Sequence, residues 1–118
     1  MKYGHTEIFV RDPLVAKAFY TDVLGFKLEV VQQEKFVWLH NDGATFLLRP
    51  SQDRRTAATS YQTADTGIVL YTDDLNATKS LLESRGLAFQ GTDGSPRCLT
   101  FTDPDGNWFQ LVNPNEHS

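Results

Sequence analysis

The chain has 118 residues, with 15 acidic and 11 basic side chains for a net charge of −4, 40% hydrophobic and 22% charged residues. This length fits one compact domain or two very small modules sharing a core, and the acidic balance argues against nucleic acid and anionic membranes as partners. Cys98 is the lone cysteine, which leaves no intrachain disulfide and no cysteine-built zinc cluster, and no apolar run approaches the roughly 20 residues that span a bilayer. The N-terminal MKYGHTEIFV lacks the long apolar stretch of a signal peptide, so a cytoplasmic protein without a membrane partner is expected.

In chain order, HTEIFV alternates as a strand should, and Asp12 then stands before PLVAKAFYTDVL. Asp suits a helix N-cap and Pro13 the first helical position, so a helix is predicted from Pro13, with Leu14, Ala18 and Val23 sharing an apolar stripe with Phe19 and Tyr20. Gly25 ends it, where glycine takes a left-handed C-cap at little cost. Three strands are predicted next: KLEVVQQ, KFVWLHN and TFLLRP, the last two joined by a tight Asp42-Gly43 turn. SQDRRTAATSYQTA reads as a polar surface linker. The order then repeats. GIVLYT is a strand, Asp74 caps the helix LNATKSLLESR, Gly86 stops it, and AFQGT, RCLTFT and NWFQLVN are strands.

The repetition is visible at the residue level. At an offset of 63, Asp42-Gly43-Ala44-Thr45-Phe46-Leu47-Leu48 falls on Asp105-Gly106-Asn107-Trp108-Phe109-Gln110-Leu111. At 61, Leu14, Ala16 and Gly25 fall on Leu75, Ala77 and Gly86; at 62, Ile8 falls on Leu70 and Asp12 on Asp74. A duplicated unit with small loop changes gives such drifting offsets. The chain is therefore expected to be an α+β protein, one domain of two βαβββ modules: module one over 4–51, a linker over 52–64 and module two over 65–114.

This order, with FYTDVLGFKL ending the first helix and DPDGNWFQLV closing the second unit, resembles the vicinal oxygen chelate superfamily of glyoxalase I, extradiol dioxygenases, fosfomycin-resistance enzymes and bleomycin-resistance proteins. The resemblance covers about residues 4 to 114. It implies that the modules form a curled mixed sheet, a cup that closes within one chain or between two and takes substrates inside, and it implies a homodimer. Enzymes of this family hold a divalent metal on the cup floor. Residue by residue, the resemblance carries the four ligand positions onto His5, Leu47, Gly67 and Gln110. Leu47 and Gly67 offer no donor, and Gln110 offers only a neutral carbonyl where a carboxylate is usual. No metal and no cofactor are expected, although Glu7, on the same strand face as His5, could join His5 and Gln110 in a degraded site. His40 at a turn and His117 in the tail are not expected at the floor.

Alternation from the four floor positions gives a ligand-facing set: His5, Glu7 and Phe9; Thr45, Leu47 and Arg49; Gly67, Val69 and Tyr71; Trp108, Gln110 and Val112. Either parity is open for Trp38. Aromatic walls with a few polar points suit a small organic ligand. The ligand-binding residues are thus expected to be His5, Glu7, Phe9, Leu47, Arg49, Gly67, Tyr71, Trp108 and Gln110. Glu7 and His5, two residues apart on one face, stand about 6–7 Å apart by strand rise, room for a base and its partner around a small substrate. No catalytic residue is assigned. The first expectation is metal-independent binding of a small organic molecule, of the drug-sequestering, bleomycin-resistance type. The alternatives are a glyoxalase-like metal-dependent lyase or isomerase with a degraded site, against which three changed ligand positions count, and a non-catalytic assembly or regulatory module.

Overall fold

The structure, a computed structural model, describes residues 1–52 and 56–116. It is a mixed α+β protein with two small sheets and two helices. The chain divides into two units, Met1–Arg55 and Thr56–Ser118.

The first unit runs β1 (Thr6–Val10), α1 (Pro13–Ala18), β2 (Lys27–Gln32), β3 (Phe36–Asn41) and β4 (Ala44–Pro50). Asp12 caps α1, its carboxylate accepting from the Leu14 and Val15 N–H groups at 3.0 and 3.4 Å. After Ala18 the helix widens into a π turn, Phe19–Val23, closed by the Leu24 N–H on the Phe19 carbonyl at 3.1 Å. Gly25, at φ +79°, then turns the chain into β2. The buried stripe differs from the expected one. Pro13, Ala16 and Tyr20 are buried, while Leu14 and Ala18 are exposed. The helix rests on β3 and β4 with Pro13 and Ala16 buried in place of Leu14 and Ala18, while Tyr20 keeps its expected place, fully buried against Phe19 and Phe26.

The sheet order is β1-β4-β3-β2. β1 and β4 are parallel, and the other neighbours antiparallel. Asp42 and Gly43, both at positive φ, make the β3–β4 turn. Register puts Ile8, Leu48 and Val37 in one buried row and Phe46 and Leu39 in the next. The opposite face carries Glu7, Leu47 and Trp38 side by side.

The second unit runs β5 (Ile68–Tyr71), α2 (Leu75–Ser84), β6 (Cys98–Thr102) and β7 (Trp108–Val112), with sheet order β5-β7-β6. β5 pairs parallel with β7, as β1 does with β4. Asp74 caps α2 through the Ala77 N–H at 3.0 Å, and Gly86, at φ +100°, ends it. Phe101 and Phe109 stack at 5.1 Å between ring centroids, and with Leu75, Leu82, Leu87 and Leu111 they are buried. The strand expected over 88–92 is not formed. Gly91 at φ +79° interrupts its ladder, which keeps the Gln90 N–H on the Thr100 carbonyl, the Thr100 N–H on the Gly91 carbonyl and an isolated bridge, Thr92 to Leu99.

The β6–β7 turn rests on Asp103, which is 2% exposed. Its carboxylate accepts from the Asp105 N–H at 2.9 Å, the Asn107 N–H at 2.8 Å and Asn107 Nδ2 at 2.8 Å. Removing a buried acceptor strands its donors at about 1–3 kcal/mol. Asp103→Ala is therefore expected to lower unfolding free energy by about 3 kcal/mol, read as a fall in the urea midpoint at unchanged slope.

Candidate functional site

In the first unit the polar groups converge on Glu7. Its position on β1 leaves its side chain on the face opposite the buried Ile8 and Val10. Arg49, on β4, donates from Nε to Glu7 Oε1 at 2.6 Å, and His5 Nε2 lies 2.9 Å from Glu7 Oε2. A carboxylate only accepts, so Nε2 carries the proton and His5 keeps Nδ1 as an acceptor when neutral. The bond to Arg49, and next that to His5, hold the Glu7 carboxyl below its usual range, and partial burial opposes them. The expected gap between His5 and Glu7 is thus closed: they touch each other, and no room for a substrate lies between them.

Aromatic rings frame this chain of charges. The His5 ring meets Trp38 edge-on at 4.9 Å, which settles the parity of β3 with Trp38 on the Glu7 face. The Arg49 guanidinium lies 5.3 Å from the Phe36 ring centroid. Trp38 Nε1 donates to Gln32 Oε1 at 3.0 Å. Leu47, only 2% exposed, forms the floor, while Phe9 is 52% exposed beside Arg49. His40 sits within β3 rather than at a turn, and its ring bonds Glu29. His117 lies outside the described residues.

In the second unit Gln110 lies between Val69 and Thr100, and Trp108 and Val112 share its face. Gln110 Nε2 donates to Asp93 Oδ2 at 2.7 Å. Trp108 is buried, its N–H on the Ala58 carbonyl at 2.9 Å and its ring 6.4 Å from that of Tyr61. Gly67 has its place explained by Tyr61. A Cβ built there would stand 2.3 Å from the Tyr61 hydroxyl and 2.6 Å from its Cζ. Burial, and then the Asp93 charge, push the Tyr61 phenol up. Cys98 is buried and its thiol likewise pushed up by burial, so it does not offer a thiolate. Tyr71, at 74% exposure, is open. Asp93 and Tyr61 were not legible as site residues. An Asp beside Gly94 reads as a turn former, and a lone Tyr in a polar stretch reads as a surface residue.

The donors at the four carried-over positions do not fit a divalent ion. In the first unit His5 Nε2 is spent on Glu7 and Leu47 has nothing to give. In the second, Gly67 is bare and Gln110 turns its NH2 to Asp93. Among the described residues no group of three or more His, Cys, Asp and Glu side chains is placed to hold a metal. Nor, among them, is any helix long and apolar enough to cross a membrane.

The profile of the Glyoxalase/Bleomycin resistance protein/Dioxygenase superfamily matches residues 2–111. An uncharacterized protein of Bacillus subtilis, YurT, is 32% identical, over 95% of this chain and 98% of its own length. Among solved structures, a superfamily member from Sphaerobacter thermophilus is 29% identical at a TM-score of 0.69, covering 96% of this chain and 98% of that one. TnmS3, an antibiotic binding protein from Streptomyces sp. CB03234, is 27% identical at a TM-score of 0.68, covering 97% and 98%. With nearly its whole length matched and both halves carrying a first strand parallel to the last, the chain belongs to the Glyoxalase/Bleomycin resistance protein/Dioxygenase superfamily.

Proposed function

We propose that the protein binds a small organic molecule without a metal ion, sequestering it in the manner of the bleomycin-resistance proteins rather than transforming it. The observation that carries this reading is the His5–Glu7–Arg49 chain on its apolar floor. Both Glu7 oxygens are engaged and its carboxyl is held ionised, so it is poorly placed to take a substrate proton. What the face offers instead is aromatic area with a few oriented polar points, the composition by which organic ligands are held. In the first unit the proposed contact residues are His5, Glu7, Phe9 and Arg49; in the second, taken by itself, they are Tyr71 and Gln110. Leu47 and Trp108 shape the surface from beneath, and Gly67 leaves room for Tyr61. The likeness to an antibiotic binding protein supports the same reading. A buried Cys98 thiol suits a cytoplasmic setting.

The test is thermal stability of EDTA-dialysed protein against a panel of aromatic and cationic antibiotics. A ligand of the native state should raise the melting temperature with concentration, by about 2.7 kcal/mol of stabilisation at a hundredfold excess over Kd. The shift should be the same with and without added Zn²⁺ or Ni²⁺. Shifts that appear only with a divalent ion would overturn metal independence.

We also propose that the chain works as a homodimer. Phe9 and Val30 of the first unit and Val69 and Tyr71 of the second are exposed at 46–74%, and apolar area of this kind suits a protein interface. Sedimentation equilibrium at micromolar concentration should give twice the chain mass; a single-chain mass at that concentration refutes the dimer.

The acid side of the stability curve checks the state of Glu7. Its folded pKa is depressed, so its contribution is present above the unfolded value of about 4.3 and is lost as pH falls through the folded pKa. The difference in urea midpoint between the wild type and Glu7→Gln should therefore shrink steadily below about pH 4.3. An equal difference at pH 7 and pH 3 would show that Glu7 is not held ionised by its neighbours.

A further inference from the structure

We propose that Asp93 is a positioning residue that fixes the Gln110 amide with its carbonyl outward, so that the second unit's sheet face selects a ligand group that donates a hydrogen bond. The inference rests on the binding reading above and adds the chemistry of one contact.

Asp93 is itself held at three points. Its N–H donates to the Cys98 carbonyl at 3.1 Å, its Oδ1 accepts from the Ser95 N–H at 2.9 Å, and the preceding Thr92 carbonyl accepts from Gln62 Nε2 at 3.0 Å. The remaining oxygen, Oδ2, faces Gln110. An ionised carboxylate has no proton to give, so only the NH2 end of the amide can satisfy it, and the 180° flip would set two acceptors against each other. The carbonyl Oε1 must then look the other way.

None of the sheet neighbours of Gln110 gives that oxygen a proton. Across the sheet, Val69 has no polar group, and the Thr100 hydroxyl has given its proton to the Gln90 carbonyl at 2.7 Å. Along β7, the Trp108 N–H is spent on Ala58, and Val112 is apolar. Gln110 is half-buried, and no buried side-chain oxygen among the described residues lacks a partner, so Oε1 opens to solvent. It is an acceptor of fixed direction on the sheet face it shares with the buried Trp108, whose ring lies 6.4 Å from that of Tyr61. An N–H or O–H on an aromatic ligand would bond it; a bare carbonyl or ring nitrogen would meet a lone pair. Selectivity of this kind comes from the unpaired group left behind by the wrong ligand.

The decisive variant is Asp93→Asn. Asparagine keeps an oxygen for the Ser95 N–H but presents NH2 to Gln110, which must then turn its carbonyl inward and its NH2 outward. The probes are indole, a donor, and isoquinoline, an acceptor of similar size, followed by NMR titration of the Gln110 side-chain NH2 and the backbone amides of β7. Wild-type protein should bind indole about tenfold tighter, a difference of about 1.4 kcal/mol. Asp93→Asn should reverse the order, and Asp93→Ala should erase it. An order unchanged by Asp93→Asn overturns the proposal while leaving binding intact. If neither probe perturbs either unit, the binding reading fails, and the lock is judged in ligand-free protein. There one Gln110 Nε2 proton should be downfield-shifted and slow to exchange in the wild type and ordinary in Asp93→Ala. Two ordinary, fast-exchanging protons in the wild type overturn the lock.

Discussion

Glu7 stands opposite Leu47, and Val69 opposite Gln110, because the first and last strands of each unit pair in parallel. That pairing is the constraint from which the site descends. Side chains alternate with a period of two, so a slip of one residue would exchange the buried Ile8 and Leu48 for Glu7 and Leu47. The apolar rows beneath the sheet therefore hold the polar face above it in register. In both units the same face is left to carry whatever chemistry the fold performs, and the duplicated hairpins exist to supply its last strand.

The charges on that face contribute little to holding the protein together. Side chains of Glu7, His5 and Arg49 are 31–40% exposed, and ion pairs so open to water add little stability. Their mutual arrangement is nonetheless definite. Each carboxylate fixes the partner it touches: Glu7 sets the tautomer of His5, and Asp93 sets the amide of Gln110. In each unit an acid settles which atom of an ambiguous group donates and which accepts. Weak stabilisation with definite orientation is what the proposed binding role asks of such groups.

Two of the positions that the resemblance assigns to metal ligands lack a donor, each in its own way. Leu47 replaces a donor with apolar volume and closes the floor. Gly67 removes the side chain altogether, and the phenol of Tyr61, arriving from the segment ahead of β5, takes up the space. With the Ala58 carbonyl on Trp108 and Gln62 on Thr92, residues 58–62 are tied to the second unit at several points. A stretch whose Ser, Thr and Ala content reads as a linker thereby becomes part of the face.

Much was legible in the sequence because the signals are local. Asp12 and Asp74 as caps, Gly25 and Gly86 as stops, the Asp42-Gly43 turn and the alternation of β4 and β7 depend on backbone chemistry within a few residues, and the repeat ties them into two units. The superfamily followed from those signals taken together. What failed was set by packing. Pro13 and Ala16 took the buried places expected of Leu14 and Ala18, and Gly91 dissolved a strand. The partners of the polar groups were also beyond reach. Arg49 meets Glu7 across 42 positions and Gln110 meets Asp93 across 17. The sequence by itself determined which side chains of a strand share a face, since alternation is a property of the strand. Only the tertiary structure decided which of those side chains touch, because strand order and loop paths bring together residues that no local spacing relates.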